Sequence, residues 1–253
     1  MKNVLRYGVL GLLAFLGFLL LLAPASMVID PLTEQIRGLN VQTVEGDATD
    51  GVASGVSWRG VQIDQLHWDW RPLALSTGWL EFHLKTDDPD LKLAGKAAIN
   101  PARYRRLREF TGNLRLAELA IAIGQPQLPV QGVVDFDLRE VRLNPAGQPL
   151  AADGVVHLLN LRVMLAQSLP LGDFTVQLTP AAPEGVQGVI QDHDGPLVLE
   201  GAFSLLPDSR YRFNGQASVR DPNNQALRQA MNLLGPPGGD GRWALNFSGV
   251  LPR

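Results

Sequence analysis

The sequence predicts a mainly β protein: an N-terminal transmembrane helix followed by a curved antiparallel β-sheet, a trough or partial barrel, with one late amphipathic helix. Three observations carry this reading. Apolar and polar residues alternate around a cluster that holds three of the five tryptophans. A pattern with glycine in mid-strand recurs four times further on, and an uncharged apolar run precedes everything else. Alternation with period two describes strands with one dry and one wet face.

Lys2 and Arg6 stand ahead of a run from Tyr7 to Ile29 that contains no charged residue. About 20 apolar residues cross the ~30 Å hydrocarbon core, so residues 7–25 are long enough for an anchor, with Tyr7, Leu10, Leu13, Phe15, Phe18 and Leu21 in the bilayer. The positive flank places residues 1–6 in the cytoplasm and residues 30–253 outside it, as one β-rich periplasmic domain. A cleaved signal peptide is the competing reading, with Val9 to Leu22 as its apolar region and Ala23-Pro24-Ala25 as its cleavage site. The residues alone leave both standing.

Beyond Asp30-Pro31, Leu32 to Ile36 reads as a short helical turn, and Leu39, Val41 and Thr43 alternate into a Gly46-Asp47 turn. The tryptophan hairpin follows. Val52, Val56 and Trp58 share one parity, as do Leu66, Trp68 and Trp70, with Ser57, Arg59, His67, Asp69 and Arg71 on the wet side. Gly60 stands at the turn. Val61 and Ile63 have the other parity from Leu66 and Trp68, so either a bulge near Asp64-Gln65 switches faces or these residues form a separate turn. Next, Leu80, Phe82 and Leu84 alternate with Glu81, His83 and Lys85, and Asp87-Asp88-Pro89-Asp90 ends that strand.

The recurring pattern comprises Leu91, Leu93, Gly95, Ala97 and Ile99; Leu128, Val130, Gly132, Val134 and Phe136; Leu197, Leu199, Gly201, Phe203 and Leu205; and Tyr211, Phe213, Gly215, Ala217 and Val219. A mid-strand glycine marks a bend, a bulge or a close backbone approach, and repeated bends curl a sheet. Leu114 to Ala120 is ambiguous between helix and strand. Leu159, Leu161 and Val163, then Phe174, Val176 and Leu178, read as strands separated by Pro170 and Gly172. The late helix has Asp221 as its cap, Pro222 at its first position, a stripe of Leu227, Met231 and Leu234, and a stop at Gly235-Pro236. That stripe needs an apolar surface, and the sheet is the surface available, so the helix is expected to plug the trough.

A chain of 253 residues suffices for a core without staples. It has no cysteine, which excludes disulfides and thiol chemistry. A net charge of −3 gives no basic footprint for nucleic acid. The local cluster Arg103, Arg105, Arg106 and Arg108 beside Tyr104 reads as a solvated face. His67, His83, His157 and His193 stand at no metal-ligand spacing, and Asp192-His193-Asp194-Gly195 reads as a turn. No nucleophile elbow, phosphate loop or dinucleotide fingerprint is present, so no enzyme is predicted and no cofactor or small-molecule substrate is expected.

The run Gly55-x-x-Trp58-x-Gly60, followed by Leu66-x-Trp68-x-Trp70-x-Pro72-Leu73, resembles the signature of the type II secretion system protein N family. The tail from Leu233 through Gly235, Pro236, Gly241, Arg242 and Trp243 to Gly249 and Leu251 resembles that family's ending. The resemblance implies a non-catalytic accessory component of the machinery that exports folded proteins from the periplasm. It further implies a retained single-pass inner-membrane anchor, with the bilayer and other inner-membrane secretion components as partners. Two rivals accompany it: a lipid-carrying trough like that of AsmA-like proteins, and a carbohydrate-binding module using Trp58, Trp68, Trp70 and Trp79. Sugar-platform tryptophans must be exposed, whereas Trp58, Trp68 and Trp70 fall on the apolar parity and Trp79 lies off the face of Leu80 and Phe82.

Overall fold

The computed structural model describes residues 24–25 and 38–250, apart from 123, 126 and 166. The anchor residues Tyr7, Leu10, Leu13, Phe15, Phe18 and Leu21, and the turn expected over Leu32 to Ile36, lie outside them. Among the described residues no helix is long and apolar enough to cross a membrane. These residues form a single open antiparallel sheet of 14 strands, taken almost strictly in chain order. The strands are β1 (Leu39–Asn40), β2 (Thr43–Gly46), β3 (Asp50–Trp58), β4 (Val61–Trp70), β5 (Leu80–Thr86), β6 (Lys92–Ile99) and β7 (Arg105–Arg115). After the short helix α1 (Leu116–Ala122) come β8 (Val130–Leu143), β9 (Pro149–Met164), β10 (Ser168–Pro180), β11 (Val186–His193), β12 (Leu197–Leu205) and β13 (Arg210–Val219). Helix α2 (Gln225–Asn232) then leads to β14 (Trp243–Val250).

The β3–β4 hairpin turns through Arg59 and Gly60, both at positive φ, between the paired Trp58 and Val61. That is the two-residue turn whose twist suits a hairpin. The face switch expected between Ile63 and Leu66 occurs without any slip in register, opposite Gly55, whose φ of +61° a side chain would strain. Because of it, Ala53 and Val56 join the same core as Ile63, Leu66 and Trp68. Two expectations fail here. Ala53 is buried in place of Val52, which is half-buried, and Trp58 at the hairpin tip is 38% exposed. The strand expected from Leu39 to Thr43 is two short ones, β1 and β2, each paired with β3.

The four glycine-bearing copies divide into two kinds. At Gly95 and Gly132 the ladder slips, and beyond Gly95 the buried residue is Ala98 while Ile99 stands exposed, against the single parity expected. Gly201 and Gly215 face one another in unbroken register, both beneath the ring of Phe213. A Cβ at Gly188 would likewise collide with the Phe203 ring, and one at Gly51 with the Trp68 ring. Here glycine makes room for an aromatic ring on the neighbouring strand, and the ring covers the backbone that glycine bares.

Leu114 to Ala120 resolves into the end of β7 and helix α1. Pro170 and Gly172, expected between strands, lie inside β10 at two register shifts, and the break between β9 and β10 falls between Met164 and Ser168 instead. Asn160, at φ +53°, reverses the faces of β9, so Leu158 packs against the core with Leu161, where Leu159 was expected. Helix α2 is capped by Asn224, whose Oδ1 accepts from the Leu227 backbone N–H at 3.1 Å. Asp221 instead closes a turn onto the N–H of Asn223. Leu227 and Met231 are buried, but Leu233 and Leu234 are 80% and 59% exposed, because the helix ends before a third turn can bring Leu234 to the sheet.

The turn between β5 and β6 is held by Asp88. Its Oδ1 accepts from the N–H groups of Asp90 (2.8 Å) and Leu91 (3.1 Å), and its Oδ2 from that of Asp64 (3.1 Å). Burial pushes this carboxyl's pKa up, but those three donors and the Arg115 charge outweigh it and hold it below the ordinary 3.8. A depressed folded pKa contributes stability above the unfolded value that is lost as pH falls through the folded one. Asp88→Ala is therefore expected to cost about 1–2 kcal/mol near neutrality. The gap to wild type should narrow below pH 3.8, as read by denaturant midpoints at neutral and acid pH.

Candidate functional site

The register gives the sheet one apolar face that runs its length. Phe110, Leu138, Gly154, Leu178, Gly188, Phe203, Phe213 and Phe247 stand opposite one another in sequence, forming a row across eight strands from β7 to β14. The opposite face carries the polar row Asp135, His157, Thr175, Gln191, Glu200 and Gln216. Helix α2 closes part of the apolar face. Its Leu227 and Met231 join Phe174, Leu197, Ala217, Trp243 and Leu245 in one core, flanked by Leu199 and Phe213. The helix, expected to plug the trough, covers only the part of that face formed by these residues of β10, β12, β13 and β14, and leaves Phe247 46% exposed. A second core at the other end gathers Ala25, Ala53, Val56 and Trp68. Phe110 and Phe136, stacked with centroids 6.0 Å apart, belong to neither cluster.

On the polar face, a recess of about 620 Å³ opens beside the 3₁₀ turn Pro72–Thr77 and is lined by Arg71, Trp79, Glu81, Lys96, Arg106 and Arg108. Glu81, expected to be wet, is only 5% exposed. Arg108 donates to it at 2.5 Å, Arg106 stands 3.9 Å away, and the Arg106 guanidinium lies over the Trp79 ring at 4.5 Å. The arginine cluster read as solvated is therefore split by strand alternation, with Arg106 and Arg108 turned onto a buried acid. Lys96 pairs with Glu109 and Arg71 with Asp69, so each cation of the recess already faces a carboxylate. Sequence reasoning missed this site because Glu81 and Arg108 lie 27 residues apart, and only the β5–β6–β7 register aligns them.

Two of the histidines share a partner, Thr175. The Thr175 hydroxyl lies 3.0 Å from His157 Nδ1 and 2.6 Å from His193 Nε2. Among the described residues, no group of three or more His, Asp or Glu side chains is placed to hold a metal. Of the run Asp192 to Gly195, expected as a turn, Asp192 and His193 instead end β11, and Asp194, at φ +47°, and Gly195 lie beyond it; Arg220 pairs with Asp192, and its Nε donates to the Gly195 carbonyl at 2.8 Å.

The residues singled out in the two sequence motifs occupy opposite ends of the sheet. Gly55, Trp58, Gly60, Leu66, Trp68 and Trp70 build the β3–β4 hairpin, and Pro72 opens the 3₁₀ turn after it. Gly235 accepts from the Trp243 indole N–H at 3.1 Å, and Gly241 takes φ +76°. Arg242 reaches Gln216 at 3.3 Å, and Gly249 lies beneath the Tyr211 ring. Each group serves its own end: one the hairpin, the other the entry to the last strand.

A single long antiparallel sheet, with an apolar face partly covered by one short helix, defines a mainly β protein. Its kinship is specific. The pattern of the family described as type II secretion system (T2SS), protein N, matches residues 37–246, and the chain belongs to that family. It is 31% identical over 240 residues to the type II secretion system protein N of Klebsiella pneumoniae, covering 92% of this chain and 89% of that protein. The Vibrio cholerae protein of the same name is 26% identical over 99% of this chain and all of its own length, and that of Aeromonas hydrophila is equally so. No solved structure matches the chain.

Proposed function

We propose that the chain is a non-catalytic accessory component of the type II secretion machinery, held in the bacterial inner membrane by one N-terminal helix, with its sheet in the periplasm, supporting export of folded proteins. Membership of the protein N family over nearly the whole sheet carries this reading. Its partners are other inner-membrane components of the same machinery, and the bilayer through residues 7–25. The retained anchor gains support from the point where the chain enters the sheet. Pro24 bridges Asp47, the Ala25 N–H donates to the Gly46 carbonyl at 3.2 Å, and the Ala25 methyl is 2% exposed within the core around Trp68. Cleavage after Ala25 would remove that hydrogen bond and leave a gap in the core where Ala25 packs, at a cost that argues for an uncut chain.

N-terminal sequencing of protein from membranes is expected to find no mature form beginning at Ser26; finding one would overturn the anchor. The lipid-carrying reading keeps one observation in its favour, the Phe110–Phe136 section of the apolar face that α2 does not reach. Deleting the gene is expected to reduce export of type II substrates, and the purified protein to carry no stoichiometric phospholipid by mass spectrometry. Undiminished export with a full complement of phospholipid would favour the lipid carrier. The carbohydrate platform loses its geometry, since Trp68 is buried and the Trp79 ring is covered by Arg106.

A further inference from the structure

The two edges of the sheet are unlike. At one, β1 and β2 have two and four residues, and the incoming Pro24–Ala25 segment lies against the end of β2. Short, interrupted and covered strands are how proteins blunt an edge. At the other, β14 runs eight residues in unbroken register with β13, and no described strand pairs with its outer side. Its sequence, Trp-Ala-Leu-Asn-Phe-Ser-Gly-Val, has no charge, no proline and no bulge. None of the usual devices against pairing is there. The outer backbone groups of such a strand are recognised by another extended strand.

The side chains indicate which strand. The apolar row that begins at Phe110 stops at Phe247, which is 46% exposed at the edge although it stacks on Phe213 at 6.2 Å. The adjacent row, Phe136, Val156, Val176, Ile190, Gly201, Gly215, stops at Leu245. Two copies of β14, antiparallel about Asn246, would set each Phe247 opposite the other's Leu245, so that each row runs on into the other copy. The same register sets Trp243, already seated in the core under α2, opposite Gly249, which has no side chain to clash with it. It also sets Asn246 opposite Asn246 and Ala244 opposite Ser248, with no like charges in contact.

We propose that β14 is a dimerisation edge, through which two copies of this chain join their sheets about a two-fold axis at Asn246. A two-fold interface uses one patch twice, which β14 satisfies by itself. Pro24 and Ala25 of each copy then lie at the far ends of the joined sheet, clear of the interface. This inference stands apart from the secretion reading.

The chain has no cysteine, so one introduced thiol reports one contact. Full-length Asn246→Cys, oxidised mildly in membranes, is expected to give a disulfide-linked homodimer near twice 27.5 kDa as its main product. Ser248→Cys, whose partner in this register is Ala244, is expected to remain monomeric, as is Val189→Cys, exposed on β11 away from the edge. Asn246→Lys opposes two like charges at an exposed position and should convert a dimer into a monomer by light scattering in detergent, with an unchanged circular dichroism spectrum. A monomeric wild type, equal cross-linking at all three positions, or Asn246→Cys joined to a different protein would overturn the proposal.

Discussion

Trp68→Ala is expected to lower the unfolding free energy by about 3–5 kcal/mol, the range for truncating a large buried aromatic. The indole is 8% exposed, lies across the backbone of Gly51 on one side and pairs with Leu84 on the other. Burying a ring of roughly 150–250 Å² at about 25 cal/mol per Å² gives a transfer contribution of the same order. Alanine would also leave a hole, because Gly51 has no side chain with which to fill it. Asp69, the next residue, points to the wet face, and its ion pair with Arg71 at 3.3 Å is half exposed on both sides. Asp69→Ala should therefore stay within roughly ±0.5 kcal/mol, as exposed pairs contribute little. Denaturation of full-length protein in detergent checks both. Equal shifts would mean that the β4 register is wrong.

The sheet was legible because an antiparallel strand with one wet face writes its period into the sequence, as at Leu80, Phe82 and Leu84. What escaped was each place where the period breaks. Gly55, Gly95 and Asn160 each reverse the faces, and a reversal looks the same in sequence as the end of one strand and the start of another. Pro170 and Gly172 look like a break between two strands for that reason, although they are a bulged stretch of β10. Helix α2 was visible from Leu227 and Met231, but its bounds were not: Asn224 caps it in place of Asp221, and it ends at Asn232, before Leu234 can reach the sheet. The Glu81 recess needed register across three strands, which alternation alone does not supply. Thr175 lies between His157 and His193 for the same reason, each 18 residues away along the chain and beside it in the sheet.

Phe174→Ala is expected to cost about 3–5 kcal/mol as well, and to do so by loosening the helix from the sheet. Phe174 and Leu227 are 1% and 2% exposed, and both belong to the core that α2 forms with β10, β12, β13 and β14. An eight-residue helix is too short to hold its shape alone, so its stability comes from that contact. Truncating Phe174 removes part of the floor on which α2 rests, and the Asn224 cap cannot hold the helix in place without it. Val189→Ala on β11 supplies the contrast, since Val189 is 48% exposed on the opposite face and should shift stability by less than about 0.5 kcal/mol. Amide hydrogen exchange separates local loosening from a uniform loss. In Phe174→Ala, exchange should rise most over residues 225–232 and at Trp243, while the β3–β4 hairpin around its own core at Trp68 changes little. Equal acceleration at both ends would mean that the two cores unfold as one unit and that α2 is no separable lid.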